Sequence, residues 1–283
     1  MKKIKNYNIV LPYKGGQVLK KKKIIILSIL ITLIVILITL SNCVLGMFIN
    51  KSNCEKNYIE FAQKNEKDIF SINKIVLFNN CNAKNKNSSS SNFTIENLFQ
   101  YTDIAIFINN NSEENSAENS LKKVKLTNLN YLETPSIGNP KIAYKNINSF
   151  AEATIISDNT FDNELNFNIS SNDVEDLTTP TLYNNCANPI VLSYINENIK
   201  TDYTITDTST PITYDGSLLK KCGVLLSSLT CKFSFDIIIT NNLDQEFKCT
   251  VYIEPPLENG EKNLYDGSIT LTQNCNYKFI RYK

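Results

Sequence analysis

The sequence predicts an all-β ectodomain, of β-sandwich or jelly-roll type, behind a single N-terminal transmembrane α-helix. Three observations predict it. One uncharged apolar run lies near the start, short segments rich in β-formers recur after residue 70, and no long amphipathic helix accompanies them. Turn-forming residues separate the segments, which favours a sandwich or jelly roll over alternating βαβ units.

The apolar run comes first. Ile24 to Leu40 holds seventeen residues without a charge, fourteen of them Ile, Leu or Val, and the uncharged stretch continues to Ile49. At about 1.5 Å per residue these limits give roughly 26 to 39 Å, which brackets a bilayer core. The aliphatic side chains alone contribute roughly −4 to −8 kcal/mol to insertion. Residues 24–46 are therefore expected to contact the lipid bilayer as a transmembrane helix.

Residues 1–23 carry eight Lys and no acid, whereas acids outnumber bases in the rest of the chain. The positive-inside rule makes 1–23 a basic cytoplasmic tail and places the C-terminal part outside the cell membrane. A cleaved signal peptide would have a shorter apolar run. A lipoprotein signal would need a small residue before the acylated Cys, but Asn42 precedes Cys43. A pilin-like start at Gly15-Gly16 is broken by Lys20 to Lys23.

Residues 47–70 read as a juxtamembrane stalk, polar with scattered Tyr58, Ile59 and Phe61. Beyond it the expected strands are 72–78, 100–108, 122–132, 141–144, 152–157, 164–169, 189–195, 202–206, 231–240, 246–254 and 268–273. Alternation is clearest near the end. Cys231, Phe233, Phe235, Ile237 and Ile239 share one face, and Phe247, Cys249, Val251 and Ile253 share a face of the next strand. Asn241 to Asp244 supplies the turn of a hairpin, with Ile239 opposite Phe247 or displaced by two. Asp236, on the opposite face, is expected to be exposed. Pro255-Pro256 ends the second strand, because neither residue can donate to a ladder.

Thr178 to Pro189 is the most linker-like break. It divides the ectodomain into β-rich lobes 71–178 and 179–283, each long enough for a sandwich of about 100 residues. Two tandem sandwiches and one larger jelly roll both fit. Tyr214-Asp215-Gly216-Ser217 recurs as Tyr265-Asp266-Gly267-Ser268. Asp-Gly is turn chemistry, so two β-turns explain the repeat.

Composition excludes much chemistry. The chain has no His and no Trp, and its one Arg is Arg281. That removes His acid–base catalysis, His metal ligands and Arg clamps for phosphate. The net charge of +1 gives no bias toward nucleic acid. All eight Cys lie at or beyond residue 43, without a C-x-x-C, which suits at most one or two extracellular disulfides rather than zinc. Cys231 and Cys249 stand too far apart along the hairpin to bridge.

Ser71/Lys74, Ser120/Lys123 and Ser217/Lys220 match S-x-x-K, but the companion S-D-N and K-T-G elements are absent. Asp158, Asp162, Glu164, Asp173, Glu175 and Asp176 form an acidic patch that reads as a solvated loop face. N-x-S/T at Asn50, Asn87, Asn92, Asn110 and Asn168 follows from the abundance of Asn.

The sequence thus assigns no catalytic, cofactor-binding or metal-binding residue. It points to a membrane-anchored, non-enzymatic protein that binds a protein or surface-polymer partner or joins an envelope assembly. The alternative is an extracellular carbohydrate-active hydrolase using a carboxylate pair, which requires a cleft holding two carboxylates about 5–10 Å apart.

Overall fold

The structure, a computed structural model, describes residues 27, 29–34, 37, 38 and 41, and residues 69–283 apart from 86–92, 112–115, 155–158, 172–177 and 207–210. The chain divides into two compact units, Met1–Phe61 and Ala62–Lys283. In the first, the described residues are helical and exposed, with Leu27, Ile31 and Leu37 each more than half accessible. Among the described residues no helix is long and apolar enough to cross a membrane. The tail 1–23, most of 24–46 (Cys43 included) and the stalk up to residue 68 lie outside the described residues.

The second unit is mostly β. One sheet contains β1 (Phe70–Ala83), β2 (Phe93–Asn110), β4 (Asn139–Tyr144), β7 (Ile190–Ile205) and β12 (Ile269–Lys278), in the order β12-β1-β2-β7-β4. The other contains β3 (Leu121–Glu133), β5 (Glu164–Ser170), β6 (Thr181–Tyr183), β8 (Lys232–Asn241), β9 (Glu246–Ile253) and β13 (Ile280–Arg281), in the order β13-β9-β8-β3-β5-β6. A small hairpin, β10 (Glu258–Asn259) with β11 (Lys262–Asn263), stands apart. Side chains of both large sheets share one apolar core, an arrangement consistent with a β-sandwich.

Strand alternation builds that core. Ile104, Ile106 and Ile108 of β2 join Leu192 and Tyr194 of β7 on one side. Phe233, Phe235, Ile237 and Ile239 of β8 and Phe247, Cys249, Val251 and Ile253 of β9 supply the other. The hairpin takes the first of the two expected registers, with Ile239 opposite Phe247 and Phe233 opposite Ile253. A bulge in β1 between Ile72 and Lys74 resets the alternation, so that Ile72 and Ile75 both reach the core.

Several expectations differ from the structure. Both large sheets draw strands from either side of the 178/179 break, because hydrogen bonding joins strands distant in sequence. That break falls between β5 and β6, which are parallel neighbours in one sheet. The segments 189–195 and 202–206 form one continuous strand, β7. Residues 152–154 are turn and loop rather than strand, and 155–157 lie outside the described residues. Asp236 is buried rather than exposed, because it accepts hydrogen bonds from Thr250, Asn128 and Lys248 across neighbouring strands.

A second apolar cluster fills one end of the first sheet. The short helix Ser217–Lys221 and the 3-10 turn Leu226–Leu229 place Leu218, Leu219 and Leu229 against Ile95, Leu98 and Ile199.

Candidate functional site

A groove of about 490 Å³ lies at that end of the unit. Three pieces form it: the turn containing Leu226, Ser227 and Thr230, the segment Glu254 to Glu258 after β9, and Leu271 and Gln273 of β12. Pro255-Pro256 stops β9, as the sequence predicts, and turns the chain across the sandwich end. The buried amide of Asn79 donates to the Pro256 carbonyl at 2.8 Å, pinning this turn to β1. Asn259 donates to the Thr270 carbonyl and ties the small hairpin to β12. On the opposite wall, Ser228 Oγ donates to Leu225 O at 2.6 Å and Thr230 Oγ1 to Ser227 O. The groove therefore has a framework fixed by hydrogen bonds. β12 forms one wall and is an edge strand of its sheet.

Two carboxylates border the groove, Glu254 and Glu258. Glu254 is 59% exposed and lies 3.5 Å from Lys232, which also approaches Glu133. Such surface pairs contribute little to stability. They set Glu254 in water beside the Lys232 ammonium rather than in an apolar pocket. Among the described residues that line the groove there is no aromatic ring on which a sugar could stack. Leu226, Pro255, Leu257 and Leu271 offer apolar surface, with hydroxyl, amide and carboxylate groups beside them.

A second polar centre lies buried on the far face of the first sheet. Asp103 of β2 and Ser193 of β7 are directly opposed in the ladder. Lys145 follows β4 and folds over them, and the lysine and aspartate side chains are both fully inaccessible. Lys145 Nζ donates to Asp103 Oδ2 at 2.7 Å and to the Glu152 carbonyl at 2.6 Å. Ser193 Oγ donates to Asp103 Oδ1 at 2.7 Å, and Ala151 N to Oδ2 at 2.8 Å. Phe99, Tyr101 and Ile195 form the apolar surroundings, with the ammonium 5.3 Å from the Tyr101 ring. Burial raises the Asp103 carboxyl above its usual range, against the opposing pull of Lys145. Burial also pushes the Tyr101 phenol up to about 12, against a hydrogen bond from Asn80.

Among the described residues, the S-x-x-K pairs and the acidic patch take separate contacts. Ser71 donates to Asn111, Ser120 to the Ser116 carbonyl and Ser217 to Asp215, so each S-x-x-K serine donates to a partner other than its lysine. Within the acidic patch, Asp162 accepts from Thr160 and Glu164 pairs with Lys125 at the surface. Asp158, Asp173, Glu175 and Asp176 lie outside the described residues.

The six described cysteines are all unpaired, so among the described residues the structure holds none of the expected disulfides. Cys54 also lies outside the described residues. Burial pushes the Cys231 thiol up to about 11 and those of Cys186 and Cys249 up to about 12. These three are thiols at neutral pH, and weak nucleophiles.

The two Tyr-Asp-Gly-Ser strings meet in space. Gly216 precedes the short helix, and Gly267 closes the 3-10 turn Leu264–Asp266 at φ 123°. A side chain at Gly216 would collide with the carbonyls of Leu264 and Gly267. The strings are helix-end turns packed on one another, rather than the two β-turns expected.

Comparison with known proteins finds no match: no family model fits the chain, and no curated protein or solved structure aligns with it. The sequence reading assigned neither polar centre. The signal for the buried one was a lone acid, Asp103, inside the otherwise uncharged run Gln100 to Ile108. The signal for the groove was only the Pro-Pro stop after an acidic residue.

Proposed function

We propose that this chain is a membrane-anchored, extracellular β-sandwich protein that binds a partner and catalyses no reaction, with the groove beside β12 as its recognition surface. The partner is a protein segment or a surface polymer. The groove carries this reading, since it combines apolar surface, solvated carboxylates and the edge of a sheet, where an extended segment can add. Support for the anchor comes from the eight Lys ahead of the apolar run and from the residues described within it, which are helical and exposed.

The test is photocrosslinking in native membranes from a probe at Ser227, against a control probe at Lys248 on the other sheet. Capture from Ser227 alone, abolished by Leu271→Glu, supports the reading. Equal capture from both positions refutes the groove as the surface. A second reading, a hydrolase using a carboxylate pair, rests on Glu254 and Glu258 bordering one groove. It requires turnover of a polysaccharide that Glu254→Gln or Glu258→Gln abolishes.

A further inference from the structure

We propose that Lys145 and Asp103 are the two halves of an intramolecular amide: Lys145 Nζ condenses with Asp103 Cγ, releases one water and joins β2 covalently to the segment after β4. This inference is independent of the membrane reading and of the groove.

The starting point is the cost of the pair as it stands. Lysine is almost never fully buried, and a buried ion pair gains little over apolar residues of the same size. Here both side chains are inaccessible and set among Phe99, Tyr101 and Ile195. Where water is excluded, a proton passing along the 2.7 Å Nζ···Oδ2 hydrogen bond gives a neutral amine and a neutral acid. Those are the forms that condense. Raising of the Asp103 carboxyl by burial acts in the same direction.

The surrounding donors suit each step. The Glu152 carbonyl accepts one Nζ hydrogen and fixes the nitrogen beside the carboxyl. The nitrogen lone pair attacks Cγ. Charge then develops on Oδ1, which receives the Ser193 hydroxyl at 2.7 Å, in the manner of an oxyanion hole. Oδ2, already carrying the transferred proton and receiving Ala151 N–H, takes a second proton from the nitrogen and leaves as water. A C–N bond forms, a C–O bond breaks, and no electrons are exchanged with any other species. The bond would hold the segment 145–154 over the outer face of the first sheet, where Ala153 packs against Phe99, Tyr101 and Ile195.

The experiment is mass spectrometry of the denatured full-length chain with peptide mapping. The expected result is a wild-type mass lower than the sequence mass by one water, no tryptic cleavage after Lys145, and one branched peptide joining Lys145 to Asp103. Lys145→Arg and Asp103→Ala should each restore the full mass of their own sequence. Because the reading is made on denatured protein, the wild-type result decides even if a variant folds poorly. A wild-type chain at full mass, with separate peptides for the two residues, overturns the proposal. So does a water loss that persists in Lys145→Arg.

Discussion

Asp236 lies on the outward face of β8, yet its side chain is only 9% exposed. Thr250 Oγ1 reaches it at 2.6 Å, Asn128 Nδ2 at 2.7 Å and Lys248 Nζ at 3.3 Å. Asp236→Ala strands those donors, and a cost of about 1–3 kcal/mol is expected in denaturant unfolding. The same titration sets a pH dependence. Burial opposes ionisation of Asp236, but the hydrogen bonds from Thr250 and Asn128 and the charge of Lys248 win, and its carboxyl lies below the usual range. The unfolded chain therefore binds this proton more readily than the native one. Stability from Asp236 is complete above the ordinary carboxylate value of about 3.9 and is lost as pH falls through the lowered native value. Acid unfolding of Asp236→Ala should lack that component; an unchanged acid limb would contradict it.

Phe235 is the apolar counterpart. It is fully buried, edge-on to Phe161 at 5.7 Å and stacked near Phe233. Phe235→Ala should cost about 3–5 kcal/mol, measured as a shift in the denaturant midpoint. Period-two alternation made this side chain legible from sequence. Asp236 was not legible, because its partners come from β9 and from a bulge in β3. There Asn128 adopts φ 57° between shifted registers. A non-local partner created by a bulge leaves no mark on the pattern around position 236.

At the scale of elements, the hairpin of β8 and β9 was readable to within a two-residue shift of register, since its apolar faces and its turn agree. The sequence pattern splits the long strand β7 in two, because the polar residues Asn196, Glu197, Asn198 and Lys200 interrupt its hydrophobicity. Pairing with β2 on one side and β4 on the other sustains the strand through much of that stretch, and Asn196 itself donates to the Ile137 carbonyl. The contact between the two Tyr-Asp-Gly-Ser strings was equally hidden. Identical strings announce local turn chemistry, not their meeting across 51 positions. Gly216→Ala should cost at least about 1–3 kcal/mol, since the added carbon meets two backbone carbonyls that cannot swing away. Ser217→Ala, which loses one hydrogen bond to Asp215, should cost about 0.5–1.5 kcal/mol. Thermal unfolding of both variants gives the ranking, and the reverse order would remove the turn-on-turn contact as a source of stability.

For the whole molecule, the interleaving of strands has a direct test. β1 and β2 pair with β12 and β7, which lie beyond the expected break at 178. Fragments 69–178 and 179–283 should each fail to fold alone and regain strand signal in circular dichroism only when mixed. A fragment that gives a dispersed amide spectrum by itself would restore the two-lobe division. Topology has its own measurement. If residues 1–23 are cytoplasmic, protease added to intact cells should degrade 50–283 and spare the tail; protection of the entire chain would reverse the orientation. The sequence could announce strands because alternation is a local pattern. It could not announce the groove, whose walls come from three separate segments, nor the burial of Lys145 against an acid 42 positions away.

The ends of β1 and β12 also decide how the domain bears force. Ser71 stands opposite Lys278, so the chain arrives and departs at one end of that ladder, while Asn79 and Ile269 mark its far end. Tension applied between residues 69 and 283 would peel β13 from β9 and then unzip β12 from β1, one hydrogen bond at a time. Tension between residue 69 and the turn at Pro256 travels differently. Asn79 grips that turn, so the pull runs along β1 and loads its bonds to β12 and β2 together, in shear. Optical-tweezers handles at 69 and 257 should therefore record a higher rupture force than handles at 69 and 283. A tether on the N-terminal side and a partner seated in the groove would pull this domain along its mechanically resistant axis.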